Sequence, residues 1–539
     1  MSQQSFNITS AVHSAFRLYE KEQYHECVDI CIQILGIDCT RADIWNLAGI
    51  VMLKLELYEK AVEYFTQAAH FAPNDLSHRI NLAEAYRRGG NPRASIDELT
   101  LLLEQEKAME ENPTLHFNLA KAYSDIEDSQ NSIRHYTIAI KLDPDDLGAM
   151  FNLANAQVSL KHFGEAIELY LNALSKGYLD AGVNLANTYV QIGLFSEALE
   201  VYRGIYQYYK DDSDFLFNYA NALNYANASP QDTQTLYQQA IGLNPQRSEY
   251  CINYAHFLLK HLDLTNGFRI YEERKKLPNM LPQGITKLWE QSECLSDKNV
   301  LVYHEQGLGD SIMFSRFVPL LQKVAKNVIV LIQEPLLPLF QKFNIPCICG
   351  ITEDLEYDVA ISLLSLPYAL GISHKQELES LPLCDTPRIK AHRVKKIGIC
   401  FSTDSAFPES ANKNIPLEVL MGALKDAQSL GVEIYSLNKA HCENLADFGI
   451  IQKPMNDFLQ TYEIIKEMDL VISIDTAVAH LSGSMGKHTL VLLNKRYDWR
   501  WGNGISTPWY ENVLCMTQSK MGQWSDVAQK LKAYLGSYI

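Results

Sequence analysis

The stretch ADIWNLAGIVMLKLELYEKAVEYFTQAAHFAPND, residues 42–75, has the spacing of two helices joined by a turn. Small residues at Ala48, Gly49 and Ala61 would let the two helices approach each other closely. Pro73 would end the second helix, because proline lacks a backbone N–H and clashes with the preceding turn. The stretch therefore predicts a helical hairpin of 34 residues.

The same small and aromatic positions return along the first half of the chain. The clearest copies are Leu82, Ala83 and Tyr86; Leu119, Ala120 and Tyr123; Leu153, Ala154 and Tyr170; Leu185, Ala186 and Tyr189; Tyr219 and Ala220; and Tyr254 and Ala255. This pattern resembles tetratricopeptide repeats, which implies about eight hairpins over residues 8–281. Each hairpin would bury its apolar face on its neighbours, so the array would form a superhelix with a long concave groove.

An asparagine stands just before the small-residue pair in six of the predicted hairpins. These residues are Asn81, Asn118, Asn152, Asn184, Asn218 and Asn253. On the groove side of each hairpin, their amides could hydrogen-bond the backbone of an extended peptide. A ladder of asparagines that contacts only water is the alternative.

The second half of the chain has a different pattern, which begins after the proline-bearing segment LPNMLPQG at 277–284. Short apolar runs such as NVLVYH (299–304) and LVISID (470–475) alternate with stretches of helical spacing. This alternation predicts parallel sheets covered by helices, with a break between two of them near 390–396. The predicted domains are a repeat region at 8–281, a linker at 282–297, and two α/β halves at 298–392 and 393–539.

Two turns of the second half place a carboxylate directly after a predicted strand. The first is VLVYHEQGLGDSIMF at 300–314, which contains Asp310, and the second follows LVISID, which ends at Asp475. Open α/β sheets bind ligands at the carboxyl ends of their strands. The free N–H groups of a helix that starts after Asp475 would also suit a diphosphate. An ordinary helix cap is the alternative for both residues.

Four segments in this order resemble bacterial tetratricopeptide-repeat proteins whose C-terminal domain is related to lipopolysaccharide heptosyltransferases. They are EQGLGDSIMFSRFVPLL (305–321), GICFSTDSAFPESANKNIPLEVL (398–420), MDLVISIDTAVAHLSGSMGK (468–487) and DWRWGNGISTPWYENV (498–513). The resemblance covers essentially the whole chain. It implies a glycosyltransferase domain of family 9 type with a GT-B fold, in which two Rossmann-like halves follow the repeats.

The resemblance implies a role for the first turn. Asp310 would be the general base that takes the proton of the acceptor hydroxyl. Gly307 and Gly309 would let the backbone approach the acceptor, or would serve only the tight turn from strand to helix.

The resemblance also implies a donor site in the last half. Asp475, Thr476 and Ala477 would bind the nucleotide sugar, and His480 would either join them or be a buried structural histidine. Lys413 would offset the charge of the diphosphate leaving group without a metal. The family's arginine-rich segment reads SANKN here, with a single positive charge.

A cationic and aromatic loop follows the predicted strand TLVLLN at 489–494. It contains Lys495, Arg496, Trp499 and Trp501. The loop would contact nucleotide or sugar, or it would pack against the other α/β half. Since no Asp-x-Asp follows a strand in this half, we expect a metal-independent reaction with no cofactor besides the nucleotide-sugar substrate.

The composition limits the classes of partner. The 539 residues carry a formal net charge of −17, which argues against nucleic acid as the main partner. No apolar run is long enough to cross a bilayer, and the 11 cysteines have the scattered spacing of reduced thiols. We therefore expect a cytoplasmic protein without a membrane span.

The sequence favours an enzyme that transfers a sugar from a nucleotide-sugar donor to a hydroxyl of a protein held by the repeats. Flagellin or another surface protein is then a candidate acceptor. One alternative is a non-catalytic repeat scaffold with a degenerate transferase domain. A second alternative is a transferase that acts on a lipid-linked saccharide.

Overall fold

The computed structural model describes residues 7–278, 280–290, 293–352, 354–378, 383, 394–403, 412–439 and 445–538. The chain divides into two compact units, Met1–Thr188 and Tyr189–Ile539. Each unit is described by itself.

The first unit consists of helical hairpins. Its helices are α1 (Ile8–Glu20), α2 (Tyr24–Ile37), α3 (Ala42–Lys54), α4 (Tyr58–Phe71), α5 (Ser77–Arg88), α6 (Pro92–Gln105), α7 (Pro113–Asp125), α8 (Ser129–Leu142), α9 (Leu147–Ser159), α10 (Phe163–Ser175) and α11 (Leu179–Gln191), which runs into the second unit. From α1 to α10 each helix packs against the next, as in a stack of hairpins. A Cβ at Gly49 would lie 2.7 Å from the Phe65 ring, so this position needs a glycine.

A buried pair of histidines joins the two helices of one hairpin. Nδ1 of His116 lies 3.0 Å from Nδ1 of His135, and Nε2 of His116 lies 3.1 Å from the carbonyl oxygen of Glu110. The carbonyl only accepts, so His116 carries its proton on Nε2 and His135 donates from Nδ1. Burial lowers the pKa of His116, and burial together with His116 lowers the pKa of His135 to about 4.

This histidine pair should make the first unit sensitive to acid. A histidine with a depressed folded-state pKa stabilises the fold above its unfolded pKa of about 6.5, and this contribution is lost as the pH falls toward about 4. His135→Gln cannot be protonated, so the drop in melting temperature between pH 7 and pH 5 should shrink by about 2–5 °C. Circular dichroism measures this, with the exposed His70→Gln as control. An unchanged drop in His135→Gln would contradict the assignment.

The second unit begins with further hairpins. They comprise α12 (Phe195–Tyr209), α13 (Ser213–Tyr225), α14 (Pro230–Leu243), α15 (Ser248–Lys260) and α16 (Leu264–Tyr271). A short 3-10 helix, Glu272–Lys276, follows α16. Along the described sequence, α1 to α16 therefore follow one another as sixteen successive α-helices.

Three of the six predicted groove asparagines each donate an amide hydrogen bond within the chain. Asn81 donates to Asn46 Oδ1 over 2.9 Å, and Asn184 donates to Asn155 Oδ1 over 2.7 Å. Asn253 donates to the carbonyl of Glu249 in its own helix. The remaining three, Asn118, Asn152 and Asn218, are half-buried. The role of these asparagines in binding a peptide backbone stays a prediction.

The rest of the second unit contains two parallel sheets, as the sequence predicted. The first has the order β3-β2-β1-β4 and the second has the order β10-β9-β8-β5-β6-β7. The strands are β1 (Asn299–Tyr303), β2 (Asn327–Leu331), β3 (Cys347–Ile348), β4 (Val359–Ser362), β5 (Lys396–Cys400), β6 (Glu433–Ser436), β7 (Ile450–Gln452), β8 (Leu470–Ile474), β9 (Thr489–Leu493) and β10 (Val513–Thr517). In the first sheet Val300 of β1 lies opposite Val328 of β2 and Val359 of β4. The central strand β1 therefore has an apolar residue beside it on each neighbouring strand.

Helices cover the sheets and connect the strands. They are α17 (Leu308–Phe314), α18 (Val318–Leu321), α19 (Leu337–Lys342), α20 (Leu366–Ala369), α21 (Leu417–Ser429), α22 (Phe458–Glu467), α23 (Ala477–Ser484) and α24 (Ser525–Gly536). Parallel strands buried on both faces consist of continuous apolar runs, which explains why these strands could be predicted from the sequence.

One apolar core joins the last hairpin to the α/β part. Leu259, Phe268 and Tyr271 of α15 and α16 belong to the same buried cluster as Val302 of β1 and Val471 of β8. The compact unit therefore starts at Tyr189, well before the boundary at 281 that composition suggested. The reason is that the α/β part and the last hairpin exclude water from each other's apolar faces.

The predicted linker at 282–297 is also part of this structure. Leu288 forms an isolated parallel bridge with Ala360 of β4. Trp289 is 7% exposed, and its backbone N–H donates to the carbonyl of Ala360 over 2.8 Å. This segment therefore extends the edge of the first sheet.

Candidate functional site

The strand order of the second sheet creates a crevice at its carboxyl edge. From β5 the chain builds outward through β6 and β7, then returns to the other side of β5 with β8, β9 and β10. In doubly wound sheets, ligands bind at this switch point, outside the carboxyl ends of the two central strands. Here the switch point lies between Cys400, which ends β5, and Asp475, which follows β8.

Asp475 is held by two side chains at this crevice. Lys413 Nζ lies 2.6 Å from Asp475 Oδ2, and the indole N–H of Trp501 donates to Oδ1 over 2.8 Å. Burial opposes the charge of Lys413, but Asp475 outweighs it and raises the pKa of the amine. Asp475 is thus an ion-pair partner rather than the predicted alternative, a helix cap.

The helix that follows Asp475 begins without a side-chain cap. Thr476 precedes α23 in an extended conformation, and its hydroxyl lies 3.1 Å from Ser473 Oγ instead of bonding the helix. Ala477 is the first residue of α23. The first N–H groups of α23 are therefore not occupied by a cap from Thr476.

Asp310 faces this crevice from the first sheet. It lies in the first turn of α17, and its Oδ1 is 2.6 Å from the guanidinium of Arg500. Burial raises the pKa of Asp310, Arg500 lowers it, and Asp498 and Asp475 raise it further, so the net direction is upward. The Asp310 side chain keeps 19% exposure.

Arg500 connects the two sheets at this point. Its guanidinium binds Asp498 over 2.9 Å as well as Asp310, and it stacks on Trp499 with 4.6 Å to the ring centre. Burial opposes ionisation of Asp498, but Arg500 holds the pKa of that carboxyl down to about 2. Arg500 Nε is buried and has no hydrogen-bond partner among the described residues.

The two glycines near Asp310 differ in how closely other atoms surround them. A Cβ at Gly309 would lie 2.9 Å from His480 Cδ2 and 3.4 Å from Ala477 Cα, so this glycine lets α17 approach α23. A Cβ at Gly307 would meet only Asp310 Oδ2, at 3.5 Å. Gly307 has φ −68°, which any residue adopts, and neither glycine has a positive φ. A tight turn therefore does not require them.

His480 lies in the core beside this site. It is 5% exposed, its Nδ1 lies 3.0 Å from the hydroxyl of Tyr510, and its ring stacks on Trp501. Burial lowers the pKa of His480 to about 4. A neutral ring with an internal partner matches the structural alternative that the sequence left open.

The loop after β9 lies between the hairpins and the site. Lys495 Nζ sits 5.9 Å above the ring of Phe195, and the Arg496 guanidinium sits 5.0 Å from the ring of Tyr225. The Tyr497 hydroxyl accepts a hydrogen bond from Asn227. This loop therefore packs against helices of the last hairpins, a contact that neither sequence alternative included.

Trp499 and Trp501 of the same loop contact different parts of the second unit. Trp499 stacks on His256 of α15, with ring centres 5.8 Å apart, and meets Tyr271 of α16 edge-on. Trp501 instead stacks on His480 in the α/β core.

A buried ion cluster holds the last hairpin to the first sheet. Arg274, which is 1% exposed, forms ion pairs with Glu305 and, over 2.8 Å, with Glu272. It also donates to Ser365 Oγ over 2.8 Å. Glu305 lies two residues after β1, so this cluster fixes the strand end that leads to Asp310.

Sequence reasoning missed Arg500, Asp498 and Gln306. Gln306 Nε2 donates to the Tyr271 hydroxyl over 3.1 Å, and its Oε1 lies 3.5 Å from Arg500. The available signal was an arginine between two tryptophans, Trp499 and Trp501, in a loop after a buried strand.

The residues of the described part of the chain bear on two requirements, those of a membrane span and those of a metal site. No helix there is both long and apolar enough to cross a bilayer. No group of three or more His, Cys, Asp or Glu side chains is arranged there to hold a metal ion.

A protein-family model described as tetratricopeptide repeat matches residues 117–178. Residues 117–178 are tetratricopeptide repeats. They correspond to α7 through α10, and the same hairpin architecture is present on either side. A curated relative is DnaJ homolog subfamily C member 7 of Mus musculus, 24% identical over 161 residues that cover 28% of this chain. The chain spans about a third of that protein, 33% of its length.

Several solved structures align with part of this chain. The APC/C hetero-tetramer Cut9–Hcn1 has a TM-score of 0.38 at 14% identity, covering 47% of this chain and 50% of its own. The C-terminal part of a repeat protein from Cytophaga hutchinsonii has 0.36 at 12%, covering 45% and 98%. YrrB, described as a tetratricopeptide-repeat protein with an unusual peptide-binding site, has 0.29 at 16%, covering 32% and 89%.

Proposed function

We propose that this protein is a metal-independent glycosyltransferase with a GT-B-type α/β part, which moves a sugar from a nucleotide sugar to a hydroxyl of a protein. The observation that carries the proposal is the meeting of Asp310 with Asp475 and Lys413 at the carboxyl edges of two parallel sheets. Arg500 bridges the two edges. The heptosyltransferase-like order of motifs supports the same reaction class.

Asp310 has the properties of a general base for this reaction. Its carboxylate is partly exposed, and its pKa is raised mainly by burial, which brings basicity closer to neutral pH. The acceptor oxygen would attack the anomeric carbon, and its proton would pass to Asp310. The bond from that carbon to the diphosphate would break, and the nucleoside diphosphate would leave with the bonding electrons.

Lys413 and the start of α23 are suited to the leaving group. The N–H groups at the start of a helix attract anions, and the ammonium adds a full positive charge. In the resting chain this ammonium is paired with Asp475. Donor binding would therefore exchange one anionic partner of Lys413 for another, while Trp501 keeps its hydrogen bond to Asp475.

Lys413→Ala should weaken nucleotide binding by roughly 10- to 100-fold, since a hydrogen bond to a charged group contributes about 1.5–3 kcal/mol. Isothermal titration with the nucleotide that binds the wild type measures the effect. Lys453→Ala is the matched control, because Lys453 forms an ion pair with Glu467 far along the sheet at the end of β7. Equal affinity in wild type and Lys413→Ala would remove Lys413 from the site.

The repeats support a protein acceptor. Helical-repeat arrays present extended surfaces that bind other chains, whereas transfer to a saccharide has no evident need of them. A transfer assay with a labelled nucleotide sugar separates the acceptor classes. Label on a protein supports the proposal, and label only on a lipid-linked saccharide would support the alternative acceptor.

A second candidate is a non-catalytic scaffold, and one observation favours it. Asp310, Asp475 and Lys413 all have internal ion-pair partners, so the resting site is already neutralised in part. A thermal-shift panel of nucleotide sugars distinguishes the two. A ligand at a hundred times its dissociation constant stabilises by about 2.7 kcal/mol, whereas a scaffold would show no shift with any member of the panel.

A further inference from the structure

The loop of residues 495–501, called the junction loop below, contacts two parts of the second unit at once. On one side its aromatic and cationic side chains pack against helices α12, α13, α15 and α16. On the other side Arg500 reaches Asp310 and Trp501 reaches Asp475. The hairpins therefore contact the same seven-residue loop that supplies Arg500 and Trp501 to the site.

The orientation of Arg500 depends on neighbours within this loop. Its guanidinium stacks on Trp499 and binds Asp498, and Asp498 Oδ1 also accepts from the backbone N–H of Arg500. Trp499 in turn is 4% exposed and lies against His256 and Tyr271. A long, flexible side chain is thus held in one direction by groups that the hairpins fix.

We propose that Arg500 is a positioning residue for the Asp310 carboxylate, and that the last hairpins act through Trp499 to keep it there. The repeats would then do more than capture an acceptor, because α15 and α16 would help to set the state of the catalytic base. The inference rests on the proposed function for the role of Asp310 as base. The physical coupling between the two residues does not depend on that role.

Charge explains why Asp310 needs this partner. The titratable and charged groups around it are Arg500 and Asp498 of the junction loop, Asp475 after β8 with its partner Lys413, Tyr271 of α16 and His480 of α23. His480 has a pKa lowered by burial to about 4, so it is neutral at pH 7. Without Arg500, the Asp310 carboxylate would face two other carboxylates in a largely buried site, and it would be protonated more readily.

The sign of the pH dependence follows from this. A carboxyl whose folded pKa is raised binds its proton more readily in the folded state, so stability falls as the pH rises from the unfolded value of about 3.9 to the folded value. Loss of an opposite charge within hydrogen-bond distance raises a carboxyl pKa by about 1–3 units. In Arg500→Gln the decline in stability should therefore extend to higher pH.

The experiment is a double-mutant cycle read by thermal unfolding of the full chain between pH 4 and pH 8. The wild type is compared with Asp310→Asn, and Arg500→Gln with the double variant. Each difference isolates the titration of Asp310. We expect its midpoint to lie about 1–3 pH units higher in the Arg500→Gln background. Equal midpoints would overturn the positioning role. Arg269→Gln, at an exposed arginine of α16, is the control.

Separate variants test whether the hairpins act on Arg500 through Trp499. Trp499→Ala should move the midpoint part of the way toward that of Arg500→Gln, and Trp499→Phe, which keeps a ring, should restore the wild-type value. His256→Gln tests the same contact if Trp499→Ala does not fold. A wild-type midpoint in both would overturn the role of the hairpins.

Activity gives a separate readout. With a nucleotide sugar that supports transfer, Arg500→Gln should shift the acid limb of the pH–rate profile upward by the same interval and leave the donor KM unchanged. A chain with no transferase activity would refute the proposed function, but the stability cycle would still decide whether Arg500 controls Asp310.

Discussion

Asp310→Asn should reduce turnover by about 10²- to 10⁴-fold, the usual contribution of a positioned general base. The amide keeps the size of the side chain and its ability to accept a hydrogen bond from Arg500, but it cannot take up a proton. Binding of the nucleotide sugar should be nearly unchanged, because the proposed reaction assigns Asp310 to the acceptor and not to the donor. Steady-state rates and the donor dissociation constant measure the two effects.

A helix-capping role makes a different prediction for the same variant. The helix starts at Leu308, and Asp310 reaches back to accept from the backbone N–H of Gly307. Asparagine accepts such a bond about as well, so capping alone predicts little change in rate or stability. Asp426→Asn, at an exposed aspartate of α21 that pairs with Lys532, is the matched control. Near-normal turnover of Asp310→Asn would leave this residue with the capping role only.

Arg274→Met should lower the free energy of unfolding of the second unit by about 3–5 kcal/mol. The substitution keeps an apolar side chain of similar length but leaves Glu305 buried without its partner, while Glu272 retains Lys275. A buried carboxylate without a counter-charge is costly because its lost hydration is not replaced. Five of the six tryptophans lie after residue 280, so tryptophan fluorescence during denaturation reports mainly on this unit.

The double variant Arg274→Met with Glu305→Gln provides the internal check. Removing both charges should recover part of the lost stability, since the neutral amide is cheaper to bury than the carboxylate. Arg269→Met, at an exposed arginine of the same hairpin, should have little effect. A double variant less stable than Arg274→Met would show that the ion pair is not the source of the loss.

The helical hairpins could be predicted because their signals are local. Ala48 and Gly49 lie in the same 34-residue hairpin as Ala61, and Gly49 accommodates the ring of Phe65. The strands could be predicted for the same reason, since each is a short apolar run buried on both faces. In both cases a few consecutive residues carry the information.

The site could be predicted only in part, because its pairs join residues that are far apart in the chain. The sequence located Asp310 and Asp475 at strand ends, but it could not show that Arg500 lies 2.6 Å from the first. Lys413 and Asp475 are likewise separated by 62 positions. Such pairings follow from how the two sheets face each other, which no local pattern encodes.

The perturbed acidity of Asp310 was missed for a related reason. The sequence indicated only that Gly307 and Gly309 let the backbone approach an acceptor or form a tight turn. Gly309 instead brings α17 against α23, a contact between residues far apart in the chain that helps to bury Asp310. Burial then moves the pKa of the carboxyl upward.

The core that α15 and α16 share with the sheets restricts how such a protein can be recombined. Repeats before Thr188 belong to a separate compact unit, so cassettes could be added, deleted or exchanged there without opening the α/β interior. A crossover between Tyr271 and Asn299 would instead expose Phe268 and Tyr271 to water. The terminal hairpins and the sheets therefore form one module for recombination, and changes to the repeats are better tolerated upstream of Thr188.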